Sequence, residues 1–599
     1  METIQDFGKY TFPALLNNSV KKFGDRPAVA LVGGKPYTYL EMSKKSHEVA
    51  KLLHGIGLRE GSKVAIFGTG RPEWGIAYFG IVNYGMIAVP LLPDFSDTEL
   101  SAIIEHCGID AIITESKLYS KVEKVGEKAP AVIIKLEDYS VIKGPEGCGK
   151  SIDDYVNDPD LEPHAEEEDT ASIIYTSGTT GRSKGVELTH KNLVWCAESC
   201  QNAHRVNKLD RVLSFLPLSH VYEFTISFLL ILLNGAFINY LGKPPTVSAL
   251  LPAFKIVEPT IVLSVPLIME KIYKNKVYPT FNKNGLMKAL YKIHLTRVIL
   301  CRAAGKTLMK TFGGHLVFFG IGGAMVDPVV EKFMKTAKFP YAIGYGLTET
   351  SPLLAASGVK ITAPGKTGIV IPGVDLKINN PDPKTGIGEV VAKGPNVMKG
   401  YYKDPELTAS VFTTEEDSVG PGYFKTGDLG LFQKHKKKDY LVLKGRSKNM
   451  ILGPSGENIY PEDIEFVLNQ NPLITESLVV EDDDGLVALV QLDEEKLEAE
   501  AEDAVKKSFP AAVFDAFKGI TGAATETVKN QVEEFSKSVA YEKERLVNEI
   551  QFYVNSRVNK SSKINKVKTV AEFEKTATQK IKRYLYDLRT KATDKFKKK

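Results

Sequence analysis

The first 170 residues alternate short apolar runs with longer segments whose apolar positions recur at helical spacing. Ala28-Val-Ala-Leu-Val32, Lys63-Val-Ala-Ile-Phe67 and Ala111-Ile-Ile-Thr114 have the length and β-branched content of buried strands. Ser43 to Leu53 and Trp74 to Tyr84 carry the helical patterns between them. This alternation predicts an α/β fold with a largely parallel sheet. Near the carboxyl end the pattern changes. Val505, Phe509, Val513 and Phe517 recur every four residues, Pro510 divides that stripe, and Gly519 and Gly522 mark a turn. Val528, Val532, Phe535, Val539, Leu546 and Ile550 then resume helical spacing. The two stripes predict an antiparallel helical hairpin inserted at residues 496–545. Packing on itself or on its own domain is the expected role, and docking on a membrane or partner is the alternative.

Composition narrows the class. With 43% hydrophobic and 25% charged residues in 599, the chain reads as a globular protein with room for more than one domain. A net charge of +4 gives no footprint for nucleic acid. Five cysteines without zinc spacing predict free thiols. The start of the chain shows no signal-peptide pattern, and the longest apolar run, Ile226 to Leu233, falls short of the roughly 20 residues a bilayer span needs. The expected location is cytoplasmic. A peripheral membrane contact through the basic tail Lys595 to Lys599 is the alternative.

The chemistry centres on Tyr175-Thr-Ser-Gly-Thr-Thr-Gly-Arg-Ser-Lys-Gly-Val186. Thr176, Ser177, Thr179 and Thr180 supply hydroxyls, Gly178 and Gly181 let the backbone turn its amides toward an anion, and Lys184 adds a cation. The order of residues differs from a Walker loop, yet suits a polyphosphate. His220 follows an apolar run and a proline in Ser214-Phe-Leu-Pro-Leu-Ser-His-Val-Tyr-Glu223, at an expected strand end. Val317-Phe-Phe-Gly-Ile-Gly-Gly-Ala324 reads as a strand entering a glycine turn. In Gly344-Tyr-Gly-Leu-Thr-Glu-Thr350, the Tyr345 ring offers a purine a face, Thr348 a hydroxyl and Glu349 a hard oxygen ligand. Asp428, in an expected tight turn, can accept hydrogen bonds from a ribose diol.

Taken in order, these motifs resemble the AMP-forming long-chain fatty acyl-CoA synthetases of the adenylate-forming enzyme superfamily. The resemblance runs from residue 175 to residue 585 and implies a large amino-terminal domain of layered sheets and helices, residues 1–447. A small mobile α+β domain, residues 448–599, is implied to follow. It also implies activation of a fatty acid with ATP and Mg²⁺ to an acyl-AMP, then transfer to CoA. By the same resemblance, Thr176 to Gly181 and Lys184 hold phosphates, Gly322, Gly323, Ala324, Tyr345 and Gly346 border the adenine and acyl groups, and His220 lines the carboxylate site. Thr348 contacts the α-phosphate, Glu349 ligates Mg²⁺, and Asp428 and Arg446 bind ribose and phosphate. Lys448 is the hinge, Gly456, Glu457 and Asn458 form the CoA loop, and Lys580 is the catalytic lysine. Lys582 and Arg583 are expected to be solvated or docking charges. Departures from the family pattern are Leu267, Asn449 and Gln579. Three rival readings stand beside the synthetase: an acyl-ACP synthetase, a fatty acyl-AMP ligase serving an acyl carrier protein, and a non-catalytic binding module.

Overall fold

The computed structural model describes residues 8–177, 183–452, 458–482, 485–518, 526–576 and 580–586. Its contacts divide the chain into two units. The first comprises Met1–Thr426 with Gly430–Leu443, and the second Gly427–Leu429 with Lys444–Lys599.

Two large sheets organise the first unit. In the nine-stranded sheet, Tyr341–Gly346, Phe318–Ile321, Ile261–Ser264, Arg211–Ser214, Phe237–Tyr240 and Pro27–Leu31 run parallel, with antiparallel strands added at both edges. In the eight-stranded sheet, Thr170–Ser177, Ile87–Leu91, Lys63–Phe67, Ala111–Thr114 and Val132–Lys135 form the parallel centre. The apolar runs read from sequence thus sit in the middle of these sheets, where both faces are covered. Helix Pro72–Val82 lies between the sheets, touching Pro27–Leu31 of one and Lys63–Phe67 and Ile87–Leu91 of the other. Pro72 opens this helix, and of its residues only Glu73 escapes full burial. Trp74 and Tyr78 stack at 5.6 Å, and Tyr78 lies 4.5 Å from Phe224. The Tyr78 hydroxyl meets Ser172 Oγ at 2.7 Å, fixing the helix to the strand that leads into the phosphate-loop motif.

In the second unit, strands Ile474–Asp482, Gly485–Leu492 and Lys566–Thr569 form a mixed sheet, and helix Pro461–Asn469 packs on the first of them. The expected hairpin is three helices, Glu494–Lys506, Ala511–Phe517 and Glu526–Asn555. Pro510 caps the second because it cannot continue the first, and the third runs ten residues past the expected end at 545. From Val505 to Phe517 and from Val532 to Ile550, the stripe residues face inward. Phe535 is fully buried, its ring 5.3 Å from Phe509 and 5.0 Å from Phe517, with Val513 and Val539 beside it. Farther along the third helix, Ile550 and Val554 enter the core of the small sheet. The stripe is therefore consumed by packing within the unit. No helix among the described residues is long and apolar enough to cross a membrane.

Phe535→Ala should remove about 3–5 kcal/mol from this cluster, the usual cost of truncating a buried phenylalanine. Hydrogen exchange should then show faster opening of residues 494–540, while amides of the nine-stranded sheet keep their protection.

Candidate active site

Strands Thr170–Ser177 and Ser183–Thr189 pair antiparallel, with Thr176 opposite Lys184 and Ser177 opposite Ser183. The phosphate-loop motif therefore spans the end of a hairpin. Gly178, Thr179, Thr180 and Gly181 lie outside the described residues. Thr176 Oγ1 is buried and has no hydrogen-bond partner among the described residues, the condition of a hydroxyl shaped for a ligand oxygen. On the facing strand, the Lys184 ammonium donates to Glu349 Oε1 at 2.8 Å and to the Tyr401 hydroxyl. It also lies 4.1 Å from the centre of the Tyr401 ring. The Tyr401 hydroxyl donates to the same Glu349 oxygen at 2.9 Å.

Glu349 occupies the single helical turn Thr348–Thr350, just beyond strand Tyr341–Gly346 of the other sheet. Burial pushes its carboxyl up, but the charge of Lys184, with hydrogen bonds from Lys184 and Tyr401, holds it below the ordinary glutamate value. The turn is pinned from behind. Asn396, fully buried, donates to the carbonyls of Thr350 and Leu353 at 2.9 and 2.8 Å, and Met398 N–H donates to the Glu349 carbonyl. Gly346 permits this turn, because a Cβ there would stand 1.7 Å from the Pro352 carbonyl oxygen. A Cβ on Gly322 would meet the Tyr222 ring at 3.0 Å, and Gly323 has φ +86°. Ala324 is exposed, and Thr348 half-buried. Tyr345 is 8% exposed and packs with Leu354 and Leu376.

His220 precedes the π-helical segment Glu223–Leu229, and its Nδ1 accepts from the Tyr222 N–H at 3.2 Å. Glu223, which sequence reasoning passed over, is buried, and Ser214 Oγ donates to it at 2.5 Å. Burial pushes its carboxyl up to about 8, against the opposing effect of the Ser214 hydrogen bond. It is therefore protonated at neutral pH. Beside this segment, a cavity of about 40 Å³ lies against the nine-stranded sheet, bordered by Tyr222, Leu263, Gly320, Ile343 and Gly344. A linear chain enters such a space only with movement of neighbouring side chains.

The remaining expected residues belong to the second unit. Asp428 lies within strand Phe424–His435 instead of a tight turn; Gly427, at φ +72°, kinks the strand without ending it. Arg446 Nε donates to Asp428 Oδ1 at 2.8 Å, bringing those two predicted residues together. Lys448 sits in the short turn Ser447–Asn449, where Asn449 donates to Glu462 Oε1 at 2.7 Å. Asn458 is exposed on a two-residue strand, and Gly456 and Glu457 lie outside the described residues. Lys580 is exposed, in a segment closed by Thr576 N–H donating to its carbonyl at 2.8 Å. Of the two expectations for Arg583, a solvated or a docking charge, the docking one fits its contacts. Arg583 bonds Glu465, a buried carboxylate on helix Pro461–Asn469, and thereby ties the segment carrying Lys580 to the unit's core.

A family model described as AMP-binding enzyme matches residues 16–402. The chain belongs to the AMP-binding enzyme family. Among curated relatives of this AMP-binding enzyme, long-chain-fatty-acid–CoA ligase FadD15 of Mycobacterium bovis is 29% identical over 492 residues, 77% of this chain and 78% of the relative. The long-chain-fatty-acid–[acyl-carrier-protein] ligase AEE15 of Arabidopsis thaliana, chloroplastic, is 27% identical, covering 79% of this chain and 74% of its own. Among solved structures, ATP-bound MatB from Rhodopseudomonas palustris aligns with a TM-score of 0.69 at 22% identity, covering 95% of this chain and 98% of that one. That likeness speaks for the fold of the AMP-binding enzyme.

Sequence reasoning missed Tyr401, Asn396 and Glu223, and the partner of Arg583. Lys399-Gly-Tyr-Tyr-Lys403 offered one signal, an aromatic pair inside a polar stretch. The others carry none, since each matters through a partner distant in sequence or through burial.

Glu223 generates a pH-dependent expectation. Its folded pKa is raised, so the native state holds a proton that the unfolded chain releases near 4.5. The stability linked to that proton is full below 4.5 and lost as pH rises toward 8. Glu223→Gln should remove this slope. Urea midpoints of variant and wild type, compared at acidic and mildly alkaline pH, should shift in the variant's favour as pH rises.

Proposed function

We propose that this AMP-binding enzyme is an AMP-forming ligase that joins a fatty acid to CoA through an acyl-AMP. The observation that carries this reading is the Lys184–Glu349–Tyr401 triangle at the end of the phosphate-loop hairpin, with the unpartnered Thr176 hydroxyl on the facing strand. The apolar cavity bordered by Gly320 and Gly344, and the fatty-acid ligases among the relatives, support an aliphatic acid as the other substrate.

The physical problem is charge. A carboxylate must approach the α-phosphorus of a triphosphate, and the pentavalent transition state gathers negative charge on the α-phosphate. Thr176, Ser177 and the loop residues Gly178 to Gly181 would hold the phosphates, with Lys184 supplying a positive charge. Among the described residues no three metal-ligating side chains converge. One carboxylate, Glu349, completed by substrate phosphate oxygens, suits Mg²⁺, which takes few protein ligands. The ion would neutralise phosphate charge as the nucleophile approaches. Thr348 would donate to the α-phosphate, and Asp428 and Arg446 would hold the ribose. His220 would border the carboxylate, and Lys580 would supply a second cation during adenylation. Pyrophosphate leaves, and the CoA thiol then displaces AMP from the acyl carbonyl.

A carrier-protein acceptor is the second reading, favoured by the likeness to AEE15. The basic tail Lys595 to Lys599 lies outside the described residues, and a peripheral membrane contact through it stays part of this proposal. Purified protein with ATP, Mg²⁺ and a fatty-acid panel, offered CoA or carrier protein, tests the reading by AMP release and thioester yield. No AMP with any fatty acid would overturn it.

Lys580→Ala should lower acyl-AMP formation by about 10²-fold, the order lost with one transition-state charge donor. Thioester formation from supplied acyl-AMP should survive; equal loss in both half-reactions would assign Lys580 to structure instead. For the hinge, Lys448→Pro fixes one backbone rotor. It should retain adenylation and lose thioester formation, as single-turnover measurements of each step would show.

A further inference from the structure

The cavity beside the reacting end of the site is apolar along most of its wall, with one polar group that the proposed chemistry leaves unused. At one end it is bordered by Ile321 and Gly344, next to the glycine turn and to Tyr345. At the other it is bordered by Phe318 and His204. Strand Phe318–Ile321 runs between these ends, and from Phe318 to Gly322 is roughly 13 Å at the usual strand rise of 3.3 Å per residue. The His204 imidazole stacks on the Phe318 ring, with centroids 4.5 Å apart and planes 25° from parallel.

His204 Nε2 is buried and has no hydrogen-bond partner among the described residues. The other polar side chains of the wall are engaged. Ser357 Oγ accepts from the Ile343 N–H at 2.9 Å, and the Tyr222 hydroxyl is satisfied by the backbone of Ser264. A buried nitrogen without a partner is uncommon enough to ask what would satisfy it. Burial holds the imidazole below its ordinary pKa against the pull of Asp210, so it is neutral at physiological pH. In a neutral imidazole, Nε2 donates in one tautomer and accepts in the other. A hydroxyl meets both cases, a carbonyl oxygen only one, and a methyl or methylene neither.

Resting on the fatty-acid reading above, we infer that His204 recognises a hydroxyl on the acyl chain, some 13 Å from the glycine turn by the strand rise just used, so that hydroxylated fatty acids are the preferred substrate class. Once neighbouring side chains have moved to admit it, a plain chain leaves the nitrogen unpaired. A chain with its hydroxyl elsewhere buries a second unpaired group. Selectivity therefore depends on hydroxyl position more than on chain length.

The test compares kcat/KM for AMP release with saturated acids of one length, either plain or hydroxylated at successive positions. Wild-type protein should show a maximum at one hydroxyl position, about tenfold above the plain acid, the order one net neutral hydrogen bond contributes. His204→Leu should abolish that maximum and leave the plain acid within a fewfold of wild type, while His204→Gln retains part of it. A flat profile in the wild type, or a maximum surviving in His204→Leu, would overturn the inference while leaving the fatty-acid reading intact. Absence of AMP release with every acid, plain and hydroxylated alike, would overturn both. The wild-type profile decides even where a variant fails to fold.

Discussion

Lys184, in a strand of one sheet, and Glu349, in the turn after a strand of the other, are 165 residues apart, yet they share one hydrogen bond in a largely buried setting. Removing a carboxylate from water is costly unless a cation and further donors replace the lost hydration. Here the ammonium and the Tyr401 hydroxyl converge on the same oxygen, and Asn396 and Met398 fix the backbone that presents it. The pair thus joins the hairpin of the phosphate-loop motif to the turn after strand Tyr341–Gly346.

Electrostatic contrast within this unit follows from what each acid faces. Glu349 has a cation and stays ionised despite burial, whereas Glu223 faces serine hydroxyls, Ser214 among them, and keeps its proton. In the proposed reading, the first would hold positive charge at the phosphates. The other is a neutral donor group beneath the His220 segment. Environment separates two chemically identical side chains into different roles.

Much of the large unit was legible because buried parallel strands leave continuous apolar runs, and Lys63–Phe67 and Ala111–Thr114 appear where those runs lie. Glycine positions were equally legible, since Gly346 and Gly322 stand where a side chain would collide with Pro352 or Tyr222. Asn396, Tyr401 and the docking partner of Arg583 were not. Their importance comes from partners at 350, 349 and 465, and no local pattern encodes such a pairing. The helical stripe at 505–550 revealed its amphipathic character but not its partner: periodicity says that a face is buried, never against what.

Helix Glu526–Asn555 belongs to two cores at once. Phe535 and Val539 close the three-helix cluster, while Ile550 and Val554 are integral to the small sheet's interior. The extra helices are consequently no detachable cassette. A splice that respects the sheet has to rejoin the chain before Leu546, keeping the last turns as native wall, and any shortening of the helix upstream changes the rigidity of that wall. Length variation among chains built on this plan is then expected outside the stretch from Phe535 to Val554, which the two cores share.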